Sequence, residues 1–430
     1  MKQLEIPINK SVIRNQLLNF TAQFDTYFFY DSNSEVNIPD ELSYGSYDFL
    51  VGLGVNRFLD FKNDNAFSTI EDFQKLHKTW LFGYLSYDLK NQIEQLSSDN
   101  KDALNLPLAQ FIEPQLVIAV QQNKMTVITL AHGIEIENII IKIQEQSHQI
   151  DTHFPSSHIV EQTSESSYIK AFEQFQQQIA YGNIYEVNYC IAFNTEIHHH
   201  NYMGLYALLN EVSKAPFSAL VKVNNLVVVS ASPERFLKKQ GLQLISQPIK
   251  GTAKRGLSVE EDQRNKNELQ CNEKERTENV MITDLVRNDL SKYAARNSVK
   301  VQELFGIYSF KQVHQMISTV VATLNDPDNY LKALKEAFPM GSMTGAPKIM
   351  AMKLIEQHEE MKRGLYSGAL GYIDPNNNFD FNVLIRSIVI NTTTNQAQFC
   401  VGSAITAKAN AKDEYQECLL KANALFKVLA

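Results

Sequence analysis

Short apolar runs of strand length alternate with polar segments in the first third of the 430-residue chain. The clearest runs are residues 47–53, 80–87 and 115–120, and each is too short for a typical buried helix. They predict strands, and the polar stretches between them predict helices or loops.

A polar, serine-rich connector at residues 152–167 separates this part from a second part that is denser in motifs. Residues 168–180 place apolar side chains at helical intervals, and Gly182 marks the end of that helix. The pattern then predicts strands at 184–193, 217–223 and 226–230, and long amphipathic helices at 272–294 and 413–429.

Strands and helices that mix without regular β-α-β alternation predict an α+β fold rather than a doubly wound sheet. No repeat and no low-complexity tract interrupts the chain. We therefore expect two regions, residues 1–150 and residues 165–425.

Composition favours a folded protein with a small-molecule partner. With 44% hydrophobic residues the chain can bury a large core. Its 40 basic and 48 acidic residues give a net charge of −8, without the basic excess of nucleic-acid-binding proteins. No stretch approaches the ~18 apolar residues of a membrane helix, and the charged amino terminus is unlike a signal peptide. We expect a cytoplasmic protein that binds neither nucleic acid nor membrane.

Neither the cysteines nor the one histidine run suggests a metal site. Cys190, Cys271, Cys400 and Cys418 are widely scattered, so we expect reduced thiols. Adjacent residues point in different directions, so His198–His200 are predicted to be a solvated loop rather than ligands of one ion.

Glu234 follows a valine-rich strand and is preceded by a proline that favours an extended exit from it. A carboxylate at the end of a strand often serves catalysis, while an exposed ion pair with Arg235 fits the local sequence equally well.

Lys250 offers an amine beside Gly251, which allows a ligand to approach the backbone. Attack requires the neutral amine, and at the ordinary lysine pKa roughly one molecule in 2,500 is neutral at pH 7. A nucleophilic role therefore requires burial or cationic neighbours such as Lys254 and Arg255. A solvated loop lysine is the alternative.

Two helices carry carboxylates spaced by three residues, so that each pair shares one helix face: Glu275 with Glu278, and Glu414 with Glu417. Brought together, such pairs suit a hard cation such as Mg²⁺. The alternative is two solvated faces with ion pairs such as Glu417 to Lys421.

Two further features suggest an anion site. Residues 341–348 form a turn rich in glycine and hydroxyl groups before a helix, which suits either a carboxylate or ordinary capping. Arg386 lies in a predicted apolar strand, 382–390, where its partner is either a substrate carboxylate or a structural acid.

Taken together and in this order, these segments resemble the chorismate-utilising enzymes, the family of anthranilate synthase component I, aminodeoxychorismate synthase component I and isochorismate synthase. The resemblance is dense over residues 165–425 and looser before them, where residues 82–88 match best. It rests on the segments 182–188, 232–236, 248–252, 284–290, 341–348 and 367–372.

The resemblance implies an α+β fold of two facing, largely antiparallel β-sheets flanked by helices. In such a fold the amino-terminal region, 1–150, interleaves with the chorismate-binding catalytic domain, 165–425.

A lysine at position 250 is typical of the branch of the family that aminates chorismate to 4-amino-4-deoxychorismate for 4-aminobenzoate and folate. By resemblance, Lys250 attacks C2 of chorismate as the C4 hydroxyl leaves, and ammonia then adds at C4 and displaces the lysine. Glu234 is the implied general acid and base. His314 and Thr344 are the other catalytic residues that it implies.

The resemblance also implies Mg²⁺ ligands and substrate contacts. Glu278 and Glu417 correspond to metal ligands, with Glu275 and Glu414 as supporting carboxylates. The implied substrate-binding residues are Gly251, Thr252, Tyr366, Arg386, Gly402, Ser403, Ala404 and Lys421.

At residues 402–405 the chain departs from the family's usual Gly-Ala-Gly-Ile, and the side chain of Ala404 would crowd the substrate if that position required glycine's dihedral angles. No glutamine amidotransferase motif surrounds any cysteine, so a separate amidotransferase subunit is expected to supply ammonia in a heterodimer. The competing interpretations are anthranilate synthase component I, an isochorismate synthase, and a non-catalytic regulatory homologue that binds chorismate.

Overall fold

The structure is a computed structural model that describes residues 2–33, 45–59, 61, 65–311 and 313–429. The helices in these ranges are α1 (Lys10–Thr21), α2 (Ala66–His77), α3 (Lys90–Ile93), α4 (Ile136–Gln144), α5 (Glu165–Ala180), α6 (Tyr202–Ser213), α7 (Val259–Cys271), α8 (Glu273–Ser291), α9 (Tyr330–Ala337), α10 (Lys348–His358) and α11 (Ala411–Leu429).

The strands are β1 (Lys2–Pro7), β2 (Tyr27–Asp31), β3 (Phe49–Leu53), β4 (Arg57–Phe58), β5 (Leu81–Leu85), β6 (Ala109–Glu113), β7 (Leu116–Gln121), β8 (Lys124–Thr129), β9 (Val160–Glu161), β10 (Glu186–Glu196), β11 (Phe217–Val223), β12 (Leu226–Ser232), β13 (Arg235–Gln240), β14 (Gln243–Gln247), β15 (Ile249–Lys254), β16 (Lys300–Ser309), β17 (Val313–Thr323), β18 (Gly345–Ala346), β19 (Ala369–Ile373), β20 (Phe379–Val383), β21 (Ser387–Asn391) and β22 (Gln396–Thr406).

The strands form two antiparallel sheets. Sheet A has the order β1-β8-β7-β3-β2-β11-β12-β21-β22-β10-β18, with β9 also paired to β10. Sheet B has the order β15-β17-β14-β13-β20-β19-β5-β6-β4, with β16 also paired to β17. This confirms the predicted α+β fold class.

Each sheet contains strands from both predicted regions, as two blocks that meet at one strand pair. In sheet A, β2 pairs with β11, and in sheet B, β5 pairs with β19. Regions 1–150 and 165–425 therefore share both sheets, and the boundary between them stays a prediction.

Alternation along the strands creates one core between the sheets and another beneath the helices. Phe28 faces sheet B, where its ring lies 6.0 Å from that of Phe82. The next residue, Phe29, faces α6, where its ring lies 5.8 Å from that of Tyr206. Helices α1, α4, α5, α6 and α11 cover sheet A in this way, while α2 and α9 pack on sheet B.

Several local predictions are confirmed. The predicted strand 217–223 is β11, and the long helices are α8 and α11. Helix α8 begins where Asn272 caps it, because the Asn272 side chain accepts a hydrogen bond from the amide of Glu275 at 3.2 Å. The predicted strand 382–390 is wrong, because β20 ends at Val383 and β21 begins only at Ser387.

The cysteines and histidines match their predictions too. All four cysteines are free thiols. His198–His200 are exposed and have separate partners: His198 contacts Glu196 at 3.2 Å and His200 contacts Tyr202 at 2.8 Å. Across the described ranges, no helix is both long and apolar enough to cross a membrane.

The intersheet core generates a stability prediction. The Phe82 ring is fully buried and stacks against Tyr30 and Trp80, with centroids 5.8 and 6.1 Å away. Phe82→Ala should lower the free energy of unfolding by about 3–5 kcal/mol, because the cavity cannot collapse between two sheets. Urea unfolding followed by tryptophan fluorescence measures this loss.

Phe58→Ala is the control, since that ring is 46% exposed and its removal should lower the free energy of unfolding by about 1 kcal/mol or less. Equal losses would contradict this account of the core.

Candidate active site

A cavity of about 90 Å³ lies where β15 and β22 meet α8 and α11. The turn between β12 and β13 and the loop between β20 and β21 form its other walls. Most of the predicted site residues line it: Glu234, Lys250, Gly251, Thr252, Glu275, Glu278, Tyr366, Arg386, Gly402, Ala404, Glu417 and Lys421.

Glu234 occupies the turn between β12 and β13, at the end of a strand as predicted. One side-chain and one backbone hydrogen bond hold this turn: the Glu234 amide donates to Ser232 Oγ at 3.3 Å, and the Val383 amide donates to the Glu234 carbonyl at 3.0 Å. The alternative ion pair with Arg235 does not form, because Arg235 binds Asp380 at 2.9 Å. Glu234 is therefore left facing the cavity.

Burial raises the pKa of the Glu234 carboxyl to about 7. A hydrogen bond with Ser342 and the positive charge of Lys250 oppose this shift without cancelling it. A carboxyl that titrates near neutrality can both donate and accept a proton at physiological pH, which is what a general acid and base must do.

Lys250 lies on β15 and not in a loop. Strands β15 and β17 pair at Ile249 and again at Thr252, and their register is irregular between these two points. Gly251 sits in this irregular stretch with φ of +95°, a conformation that glycine adopts without strain. The lysine is therefore held by a sheet, although a local irregularity interrupts the ladder beside it.

The Lys250 amine is buried and forms an ion pair with Glu186. Burial by itself lowers the pKa of this amine, but the negative charges of Glu186, Glu278 and Glu234 outweigh it and hold the pKa well above its usual value. Lys250 is therefore an ammonium ion in this structure, and it must lose a proton before it can act as a nucleophile.

The cationic neighbours suggested from the sequence do not assist Lys250. Lys254 is exposed, and Arg255 binds Asp262 at 2.7 Å. The expectation that nearby positive charge lowers the pKa of Lys250 is therefore wrong for this structure.

The acidic positions of α8 and α11 come together, and lysines bind several of them. Lys274 Nζ lies 2.7 Å from the Glu414 carboxylate and 3.8 Å from that of Glu278. Glu417 pairs with Lys421 at 2.7 Å, the ion pair that the alternative interpretation named. The carboxylates of the two helices come together, as the metal-site interpretation predicts, and the ion pair of Glu417 with Lys421 forms, as the alternative predicts.

The donor chemistry of these carboxylates fits a hard cation. Burial, strengthened by neighbouring carboxylates, raises the pKa of Glu275, Glu278 and Glu414, and that of Glu278 reaches about 7. Glu278 Oε1 is buried without a hydrogen-bond partner in the described part of the chain. Within the same ranges, no three His, Cys, Asp or Glu residues form a metal cage. The buried oxygen of Glu278 fits an ion such as Mg²⁺, which binds one or two protein carboxylates and takes its other oxygens elsewhere.

Arg386 provides positive charge on another wall of the cavity. It lies between β20 and β21 with φ of +51°, in the left-handed region that interrupts the predicted strand. Burial lowers the pKa of its guanidinium to about 10, while the charge of Glu234 opposes the shift. Among the described residues, no side chain forms an ion pair or hydrogen bond with this guanidinium. A half-buried guanidinium without a protein partner favours an anionic ligand.

Gly402 and Ala404 line the cavity from β22, which pairs with β10. A Cβ on Gly402 would lie 2.7 Å from Asn188 Oδ1 and 3.0 Å from the Tyr366 hydroxyl, so the close approach of these groups requires glycine. Ala404 pairs with Asn188 in a regular ladder of extended backbone. That backbone does not need glycine's freedom, which answers the concern raised by the sequence.

His314 does not line the cavity. Its Nε2 lies 3.0 Å from Asp262 and its Nδ1 lies 2.8 Å from Ser309 Oγ. The next residue, Gln315, pairs with Thr252 and lines the cavity instead. Successive residues of a strand face opposite sides, so a one-residue step along β17 separates the two positions.

Three other predicted residues also lie outside the lining. The Thr344 hydroxyl donates to carbonyls of the turn before it, at 3.2 Å. The Ser403 hydroxyl lies 2.7 Å from that of Tyr168, beneath α5. Glu414 forms an ion pair with Lys274. The hydroxyl groups of Thr344 and Ser403 therefore form hydrogen bonds away from the cavity. Glu414 lies outside the lining but is linked through Lys274 to Glu278.

Four residues near the cavity were not among the individual site residues predicted from the sequence: Glu186, Asn188, Gln315 and Ser342. Asn188 Oδ1 is buried and has no hydrogen-bond partner in the described ranges. Glu186 and Asn188 belong to the motif 182–188 and lie two apart on β10, so the period of a strand already places both on one face. That signal was available before the structure.

Comparison with known proteins identifies relatives of this chain. The sequence profile described as chorismate binding enzyme matches residues 52–427. Aminodeoxychorismate synthase component 1 of Bacillus subtilis (strain 168) is 33% identical over 360 residues, which cover 81% of this chain and 76% of that protein. Anthranilate synthase component 1 of Thermus thermophilus is 32% identical over 356 residues, with coverage of 81% and 76%.

A solved structure supports the fold. Anthranilate synthase component I from Streptococcus pneumoniae TIGR4 superposes with a TM-score of 0.76 at 19% identity, covering 99% of this chain and 92% of that one. At this identity the likeness concerns the fold alone.

The raised pKa of Glu234 generates a pH-dependent prediction. Because the folded protein holds this proton up to about pH 7 and the unfolded chain releases it near 4.5, stability should fall as pH rises between these values. Above pH 7 the buried Glu234 carboxyl lowers the free energy of unfolding by an amount on the order of 3 kcal/mol. Glu234→Gln has no such ionisation, so it should be more stable than the wild type at pH 8 and close to it at pH 4.5. Urea midpoints at the two pH values measure this difference, and a gap that does not change with pH would contradict it.

Proposed function

Because the chain belongs to the family of chorismate binding enzymes, we propose that it aminates chorismate to 4-amino-4-deoxychorismate, the precursor of 4-aminobenzoate and folate. One observation carries this proposal: a buried amine, Lys250, and a carboxyl that titrates near neutrality, Glu234, line the same cavity. A covalent amination needs both groups.

In the proposed reaction, the Lys250 amine forms a bond to C2 of chorismate. The ring double bonds shift, and the C4 hydroxyl leaves as water with a proton from Glu234. Ammonia then bonds to C4, the lysine leaves C2 with its electron pair, and Glu234 takes a proton from the new amine. Covalent catalysis divides one difficult substitution into two easier ones.

Substrate charge can be matched by groups on two sides of the cavity. Arg386 and Tyr366, with the backbone at Gly402, are proposed to bind the enolpyruvyl carboxylate, while Gly251 and Thr252 line the ring. Mg²⁺ held by Glu278 and Glu417, with Glu275 and Glu414 as supporting carboxylates, would neutralise the ring carboxylate. Lys421 balances the acidic group and donates to the Gly402 carbonyl at 2.9 Å.

Ammonia is proposed to come from a separate glutamine amidotransferase subunit, in a cytoplasmic heterodimer. Anthranilate synthase component I is the second candidate, because a relative of that name is nearly as similar, at 32% against 33%. Overall identity therefore does not distinguish the two, and the buried lysine favours the covalent amination. A regulatory chorismate-binding role is the third interpretation.

Product analysis tests the reaction. Purified protein with chorismate, Mg²⁺ and ammonium should form 4-amino-4-deoxychorismate without anthranilate, identified by chromatography and mass. Lys250→Ala should lose at least about 100-fold in rate, because the covalent route is closed. The control is Lys254→Ala, since Lys254 is exposed on the same strand and should be dispensable.

The other outcomes are equally informative. Anthranilate as the product would establish the second candidate and refute the role of Lys250. Unaltered chorismate under every ammonia condition, with chorismate still bound, would favour the regulatory interpretation. Faster turnover with glutamine after adding an amidotransferase subunit, and none with glutamine alone, would support the proposed partner.

A second prediction concerns the cation. Glu278→Gln should weaken binding of Mn²⁺, used as a spectroscopic substitute for Mg²⁺, by about tenfold or more, because it removes a charged oxygen ligand. Electron paramagnetic resonance of free Mn²⁺, with and without chorismate, measures binding independently of turnover. Glu273→Gln is the matched control, since Glu273 is exposed one turn earlier on the same helix. Equal Mn²⁺ binding in both variants would remove Glu278 from the ligand set.

A further inference from the structure

The buried ion pair of Lys250 and Glu186 joins the proposed nucleophile to a residue outside the roles considered so far. Glu186 is the first residue of β10, where the ladders fix its backbone between Ala346 of β18 and Thr406 of β22. It is 3% exposed, and its Oε1 accepts a hydrogen bond from Lys250 Nζ. The carboxylate is therefore fixed by two neighbouring strands and not by a flexible loop.

The covalent route requires a base for the lysine. Lys250 is an ammonium ion in the structure, so one N–H bond must break before nitrogen can offer its electron pair. Glu234 is needed as an acid for the departing hydroxyl, and Glu278 belongs to the acidic group of α8 and α11. Among the described residues, Glu186 is the carboxylate in hydrogen-bond contact with the amine.

We propose that Glu186 accepts the proton of the Lys250 ammonium as the amine attacks, and returns it when the lysine leaves. This inference rests on the proposed function, because it names the group that accepts the Lys250 proton in the covalent route.

The proton balance closes over both halves of the reaction. In the first half, an N–H bond of Lys250 breaks, an O–H bond forms on Glu186, and the freed electron pair forms the bond to C2. In the second half, the lysine leaves C2 with that pair and recovers the proton from Glu186. Neither half needs an outside acid or base for this proton.

Exclusion of water makes the transfer easier. Desolvation disfavours both charged forms, so it raises the proton affinity of a carboxylate and lowers that of an amine. When substrate fills a cavity of about 90 Å³ and displaces its water, an exchange of two buried charges for two neutral groups becomes less costly. Between turnovers the same pair keeps the amine protonated and unreactive.

The experiment compares the wild type with Glu186→Gln, which keeps the size of the side chain and removes its charge. Reductive methylation with formaldehyde, which is small enough to enter the cavity, reports the neutral fraction of each lysine through peptide mass spectrometry at pH 8. Lys90 is the internal reference, because it is 1% exposed and reports any general loosening of the fold.

We expect Glu186→Gln to raise the reactivity of Lys250 and to lower the rate of chorismate consumption. Lys250 in Glu186→Gln should be methylated about tenfold faster or more, since the charge that stabilises its ammonium form is gone. Chorismate consumption should nevertheless fall about 100-fold or more, because no base takes the proton during attack. Lys90 should be methylated at the wild-type rate, and Glu186→Asp should retain part of the turnover.

Unchanged methylation of Lys250, or chorismate consumption close to that of the wild type, would overturn the inference. If Lys90 also reacts faster, Glu186→Asp decides: retained consumption supports the base, and a loss as deep as in Glu186→Gln refutes it. A wild-type protein that consumes no chorismate would instead refute the proposed function and the catalytic step with it, while the methylation contrast would still decide whether Glu186 keeps the amine protonated.

Discussion

Burial of opposite charges around one cavity is the constraint on which the rest of the site depends. Lys250, Glu186 and Glu278 are each removed from water, which would be prohibitive for any one of them alone. Each is tolerated because an opposite charge lies near it: Glu186 beside Lys250, and Lys274 near Glu278. Replacing a single member leaves an uncompensated charge, so the group behaves as one unit.

The two sheets place these charges accurately because the groups come from strands and helices that pack on one another. Glu186 begins β10 and Gly402 lies within the paired β22, while the carboxylates of α8 and α11 approach from outside. Regular backbone restricts the movement of each group, as catalysis requires. The backbone leaves that regularity at Gly251, next to Lys250, and at Arg386, and all three residues line the cavity.

Much of the local structure could be predicted because short-range patterns decide it. The strand 217–223 and the helices α8 and α11 followed from hydrophobic spacing, and the position of Glu234 at the end of a strand followed from the proline before it. The failures share a cause. The strand 382–390 is broken at Arg386 although its apolar pattern continues, and His314 faces Asp262 while its neighbour Gln315 faces the cavity. Which side of a strand faces a cavity depends on partners that are distant in the sequence.

The sequence by itself determined the family, the α+β class and the segments that carry Glu234, Lys250 and the paired carboxylates, because residue type and spacing encode them directly. Only the tertiary structure decided the protonation of those groups. The sequence permitted a lowered pKa for Lys250, helped by Lys254 and Arg255, whereas folding brings Glu186 to the amine from 64 residues away and holds it as an ammonium ion. A pKa depends on burial and on the charges within a few ångströms, and both quantities exist only after distant segments have packed together.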